Sequence, residues 1–141
     1  MMREIVLDTE TTGLNPADGH RIIEIGAIEV INRLPTGRTF HKYINPEREI
    51  EASAIRVHGI TNEQLEGKPL FADIAEEMRA FFGDSPLVAH NASFDINFLN
   101  HEFSWLGHDE LSNEIIDTLK IAREKFPGSQ VSLDALCRRF E

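Results

Sequence analysis

The stretch VLDTETTGL, residues 6–14, decides how the chain reads. Ile5, Val6 and Leu7 form the kind of apolar run that a sheet buries, and they lead straight into two acids one residue apart. Strand side chains alternate faces, so Asp8 and Glu10 point the same way. Like charges on one face beside a core strand repel unless something positive sits between them. A metal ion is the candidate.

At 141 residues and 41% hydrophobic, the chain has the size of one domain with its own core, and a single domain over residues 1–141 is expected. No apolar run approaches the roughly 18 residues that span a bilayer, so the chain reads as soluble and without a secretory signal. The lone Cys137 cannot form an internal disulfide, which fits a cytoplasmic setting; its plainer reading is a small hydrophobe on a helix. With 14 basic and 24 acidic residues the formal net charge is −10. That is not the basic footprint of a protein that grips nucleic acid by its phosphates. Acidity alone serves solubility; a polyanion would have to be held largely through bound cations and a partner.

Residues 3–9 read as a first strand, 22–31 as a second, and RTFHKYINP from Arg38 as a third. Short polar connections containing Asn32, Pro35 and Gly37 suggest an antiparallel meander. The period then changes. EASAIRVHGIT reads as a short helix ending at Gly59, and Phe71, Ile74, Ala75, Met78, Phe81 and Phe82 recur at helical spacing up to Gly83. LVAH, residues 87–90, is a short buried strand, and Asn91 is the N-cap of a helix running to about Leu106, with Phe98, Phe103 and Trp105 in the core. EIIDTL ends a last strand near Asp117, followed by a helix over 118–126 that Pro127 and Gly128 stop. Ser132 caps a final helix carrying Leu133, Leu136 and Phe140, with Asp134 in its first turn. Three strands followed by alternating helices and strands imply an α/β fold, a mixed sheet with helices packed on it.

A third acid turns the opening pair into a site. In VAHNASFDINFL, Asp95 shares a helical face with Leu99, Phe103 and Leu106, which puts it at the edge of the core, where the helix dipole also favours it. Asp8, Glu10 and Asp95 are carboxylates at element ends that a packed sheet and helix can bring close together. Mg²⁺ prefers such oxygen ligands and uses only one or two of them beside water and phosphate. Two ions about 3.5–4 Å apart serve phosphodiester hydrolysis.

VLDTETTGL together with HNASFD resembles the DEDD superfamily of 3′-to-5′ exonucleases, and FPGSQVSLDALCRRFE with VHGIT is similar to the epsilon-type proofreading family of bacterial DNA polymerase III. The resemblance implies a ribonuclease-H-like fold with five strands, Asp8, Glu10 and Asp95 as catalytic metal-coordinating acids, and two Mg²⁺ or Mn²⁺ ions. It implies the single-stranded 3′ end of DNA as substrate, nucleoside 5′-monophosphates as product, and the polymerase III catalytic (alpha) subunit as partner. It assigns Thr11, Thr12 and Leu14 to the pocket of the terminal nucleotide, with Ser53, Ala54 and His58 beside its sugar and base. Thr12 and Gly13 also read as turn residues, and His58 as the partner of a helix C-terminus. Asn91 is accounted for as an N-cap, with a place near the substrate as its second reading. Phe94 is either a stacking face for a base or a core residue. Asp117, at a strand end, reads as structural.

The family's histidine branch (DEDDh) places a general-base His five residues before a fourth acid, on a helix beyond the region equivalent to LDALCRRFE. The 141 residues end there, so the resemblance implies a domain missing its last helix and inactive on its own, with exposed apolar surface near its end. His90 and Asp95 have the same offset but belong to HNASFD, and none of His20, His41, His58, His101 and His108 is assigned as the base. Two other functions remain: an exonuclease of the superfamily acting on RNA or oligonucleotides, and a non-catalytic module that binds nucleotide or a replication partner.

Overall fold

The computed structural model describes residues 2–125. β1 (Arg3–Thr11), β2 (Ile22–Ile31) and β3 (Leu34–Tyr43) form an antiparallel meander, and β4 (Leu87–Ala89) and β5 (Ile115–Asp117) continue the sheet in parallel beside β1. The order is β3-β2-β1-β4-β5, which leaves β1 central and its acid-bearing end beside the β4 terminus. Four helices accompany it: α1 (Ala52–His58), α2 (Phe71–Phe82), α3 (Ala92–Trp105) and α4 (Thr118–Lys125). The expected last helix, with Ser132, Leu133, Asp134, Leu136, Cys137 and Phe140, lies outside the described residues, as does the Pro127-Gly128 stop.

Two boundaries differ from the sequence reading. β1 runs on to Thr11 instead of ending at residue 9, so Glu10 lies within the strand together with Asp8. β3 starts at Leu34 instead of Arg38, because Asn32 (φ 50°) and Arg33 (φ 70°) make a two-residue left-handed turn that reverses the chain at once. Pro35 and Gly37 therefore belong to a strand and not to a connection. They are tolerated because β3 is an edge strand whose register shifts opposite Ile28–Val30.

The core lies on the Ile5/Leu7 face of β1. All six apolar residues of the α2 stripe are buried there, together with Phe98, Leu99 and Phe103 of α3. Trp105 is a correction: it is 49% exposed, because its ring lies beneath the Arg21 guanidinium at the surface and not in the core, and Leu106 is exposed as well. The Arg21 guanidinium lies 5.1 Å above the Trp105 ring instead.

Arg21 also anchors α3 to the start of β2. Its Nε and Nη2 donate to Glu102 Oε1 at 2.8 and 2.6 Å, and the Ile22 amide donates to Oε2 at 3.1 Å. Glu102 is 1% exposed, whereas the Arg21 side chain keeps 26% of its surface in water. Removing the guanidinium strands a buried carboxylate. Arg21→Ala is therefore expected to destabilise the chain toward the lower end of about 3–5 kcal/mol in urea unfolding. A loss below about 1 kcal/mol would assign the pair the modest weight of a surface ion pair.

Candidate active site

Asp8 and Glu10 leave β1 on the face opposite Leu7 and Thr9. Asp8 is open to solvent and Glu10 half-buried, directly across the ladder from Glu24 of β2. Asp95, in the first turn of α3, is 3% exposed, and the Thr9 hydroxyl donates to its Oδ1. Thr9 thus links the strand carrying the acid pair to the helix carrying the third acid.

Burial first, and neighbouring acids after it, raise the proton affinity of all three carboxyls. Loss of hydration lifts the Asp8 carboxyl above the usual range, opposed by the Thr9 amide and helped by the charge of Glu24, while His90 pulls it down. Glu10 is raised by the same loss of hydration and then by Asp8, with His58 opposing. Asp95 is pushed up to about 7, first by burial, against the Thr9 hydroxyl, with Asp8 and Glu10 adding to the rise.

Among the described residues no three His, Cys, Asp or Glu side chains come together as a group that could hold a metal ion. What remains is the pair Asp8 and Glu10 on one face of β1, with Asp95 behind it on Thr9. This donor set fits a hard divalent cation of the Mg²⁺ type, which takes few protein carboxylates and completes its shell with water and phosphate oxygens. It does not fit a fully protein-caged ion.

Beside Glu10 opens a cavity of about 270 Å³ lined by Thr9, Glu10, Thr11, Gly13, Leu14, Ser53, Ala54, Val57, His58 and Phe94. It collects residues from β1, α1 and α3 that are far apart in the chain. Leu14 and Val57 are 82% and 84% exposed, two apolar side chains left open to water where the cavity meets the surface. Phe94 faces two ways: its ring centroid is 5.0 Å from that of Phe98 on the core side, and it also lines the cavity. His58 does too. Its Nδ1 accepts from the Ile60 amide at 3.0 Å just past the helix end, so Nε2 carries the proton and donates to the Thr11 carbonyl at 3.1 Å.

Thr12 does not line the cavity. It is fully buried; its Oγ1 accepts from the Arg21 amide at 3.0 Å and bonds His20 Nδ1 at 2.9 Å, so it holds the loop from inside. Thr11 Oγ1 donates to the Gly13 carbonyl at 2.6 Å. The His20 ring, with Nε2 3.0 Å from Glu51 Oε1, packs so close that a Cβ on Gly13 would lie 2.3 Å from it. Only glycine fits there.

Asn91 occupies the N-cap position of α3, but its side chain makes no capping bond and its backbone is left-handed (φ 64°). Its amide donates instead to Asp117 Oδ1 at 3.0 Å, and the same oxygen accepts from the Leu119 amide at 2.9 Å. Asp117 is thus a structural acid, as its sequence position suggested: it caps α4 and fixes the turn leading into α3. Thr9, Gly13 and Val57 escaped the sequence reading. For Thr9 the signal was present, since the residue between two acids on a strand must face the opposite layer.

The raised carboxyls make stability pH-dependent. The folded chain holds protons on Asp95 that the unfolded chain, with an ordinary value of 3.8, releases. Stability should therefore fall as pH rises from about 4 to about 7, and Asp8 and Glu10 act in the same direction. Asp95→Asn should flatten that slope in chemical unfolding followed across pH 4–8. An unchanged slope would mean that Asp95 ionises as it does in water.

The Exonuclease (RNase T) family profile matches residues 5–141. The chain is 57% identical over 144 residues to the DNA polymerase III subunit epsilon of Rickettsia felis, spanning 99% of this chain and 63% of that protein. It is 49% identical over 147 residues to the Escherichia coli K12 subunit epsilon, spanning 60% of it. Among solved structures, Exonuclease X in complex with 5′ overhanging duplex DNA superposes with a TM-score of 0.76 at 31% identity, over 96% of this chain and 72% of that one. Escherichia coli Exonuclease I with a dT13 oligonucleotide gives 0.87 at 19% identity over 98% and 35%, a likeness of the ribonuclease-H-like fold. The chain thus spans somewhat less than two thirds of its curated relatives, and it belongs to the Exonuclease family.

Proposed function

We propose that the chain is the nuclease domain, residues 1–141, of a cytoplasmic proofreading 3′-to-5′ exonuclease that removes nucleoside 5′-monophosphates from a single-stranded 3′ end of DNA. The observation that carries this reading is the adjacency of the Asp8/Glu10 pair to a cavity sized for one nucleotide and edged by Leu14, Val57, His58 and Phe94. The polymerase III alpha subunit is the partner that the relatives' names suggest.

Asp8 and Glu10, with Asp95 behind them, would hold two Mg²⁺ or Mn²⁺ ions. When bound, such ions supply charge neutralisation and an activated water for phosphodiester hydrolysis. The chain's own residues do the positioning. Phe94 and Leu14 offer apolar faces to a terminal base without reading its identity. Ser53 and Ala54, from the first turn of α1, form the opposite wall. His58 keeps Nε2–H on the Thr11 carbonyl and so fixes the floor. An unpaired end enters such a cavity without the cost of unpairing.

The 141-residue chain should bind a nucleoside 5′-monophosphate in the presence of Mn²⁺, and a chain extended to its relatives' length should release mononucleotides from a 3′-labelled single strand. Partners outside the ligand shell cost about 10–100-fold when removed, so Asp8→Ala, which deletes a ligand, should cost more than ~10²-fold in both assays. Binding and release that survive Asp8→Ala would remove the site.

A further inference from the structure

β4 runs parallel to β1 with Val6 opposite Val88. Two residues further on, Asp8 and His90 leave the same face of neighbouring chains. The His90 Nδ1 lies 2.9 Å from Thr118 Oγ1, while its Nε2 is buried and has no hydrogen-bond partner among the described residues. Nothing described so far uses that nitrogen.

The Thr118 hydroxyl decides which ring nitrogen carries the proton. It has one hydrogen and two acceptors within reach, the Ala89 carbonyl at 3.4 Å and His90 Nδ1 at 2.9 Å. Hydrogen bonds between two oxygens span about 2.5–3.0 Å, so the carbonyl is the weaker of the two acceptors. With the hydroxyl turned to the closer Nδ1, the neutral ring carries its own hydrogen on Nε2. Thr118 is held in place for this: the preceding Asp117 accepts from the Asn91 amide, so one junction grips both the ring and the backbone after it.

A buried N–H without an acceptor is unfavourable, and its retention points to an acceptor that is met in another state of the site. Asp95 is a poor candidate, because its bond to the Thr9 hydroxyl ties it to the face of β1 opposite Asp8. Asp8 is open to solvent, lies across from His90, and is close enough for the ring to act on its carboxyl.

We propose that His90 is a positioning residue for Asp8: Thr118 holds it as the Nε2–H tautomer, and it donates to the Asp8 carboxylate when that carboxylate takes up a divalent cation. Such an outer partner leaves one carboxylate oxygen committed to the ring and presents the other to the ion. The inference rests on the cation site proposed above.

Nitrogen-15 spectroscopy of the metal-free 141-residue chain tests the first half. His90 should show the Nε2–H tautomer, and Thr118→Val should weaken that preference. Calorimetric titration with Mn²⁺ tests the second half. His90→Phe should weaken the Asp8-dependent affinity about 10- to 100-fold, whereas His90→Gln, which places an amide N–H near the position of Nε2, should restore most of it. Should His90→Phe not fold, Thr118→Val carries the same comparison with a smaller loss. An Nδ1–H tautomer in the wild type, or a folded His90→Phe chain that binds Mn²⁺ as tightly as the wild type, would overturn the role of His90 while leaving the cation site standing. Absence of any Asp8-dependent Mn²⁺ binding in the wild type would overturn both.

Discussion

Repulsion among carboxylates at the end of β1 is the constraint around which the rest of the structure is arranged. Antiparallel pairing puts Glu10 directly opposite Glu24, and the strand period puts Asp8 on the same face. Asp95 adds its charge through the layer behind Thr9. Direct opposition of like charges destabilises a sheet, and partial loss of hydration makes each carboxylate harder to ionise. Two histidines, His58 beside Glu10 and His90 beside Asp8, act against this with small opposing influences. Such an arrangement persists only where the surrounding backbone leaves the acids nowhere else to go.

The surroundings supply that confinement through hydrogen bonds between distant segments. Thr12 and Arg21 pair reciprocally, with the Thr12 amide on the Arg21 carbonyl at 2.9 Å and the Arg21 amide on the Thr12 hydroxyl. The Thr12 carbonyl takes the Glu51 amide at 3.0 Å, which ties the loop after the acids to the start of α1. Arg21 then reaches α3 through Glu102, so strand, loop, α1 and α3 form one connected frame. Gly13 is the position at which the frame tolerates no side chain, since the His20 ring occupies the space. A catalytic constellation requires this kind of support, because positioning groups are effective only when their own geometry is fixed.

The sequence carried the parts of this that follow from periodicity. The α2 stripe from Phe71 to Phe82, the alternation of Ile5, Leu7 and Thr9 against Val6, Asp8 and Glu10, and the face shared by Asp95, Leu99 and Phe103 each depend only on local spacing. So did most members of the cavity, because TTGL and SAIRVHG are contiguous. What escaped depends on partners far along the chain. Thr12 looked like a pocket residue until His20 and Arg21 folded over it, and Asn91 looked like a side-chain cap, but its left-handed backbone, with the amide bonded to Asp117, leaves its side chain without a capping bond. Trp105 looked like core because its spacing from Phe98 is helical, yet its ring packs beneath Arg21 at the surface. The early start of β3 was hidden because Asn32 and Arg33 adopt left-handed backbone without a glycine between them.

The acidity of the chain bears on how the proposed substrate would be held. Among the described residues no Lys or Arg lines the cavity beside Glu10, and the exposed side chains at its edge are the apolar Leu14 and Val57 and the uncharged Ser53. A groove built on lysines loses affinity steeply with monovalent salt, since each neutralised phosphate releases counterions. A cavity that holds a terminal base by apolar contact and its phosphate through divalent ions releases few. Affinity in such a site depends on the divalent cation rather than on ionic strength. A net charge of −10 is then no obstacle at the site itself. Any repulsion would fall on the rest of the proposed strand, beyond the terminal residue that the cavity is proposed to seat.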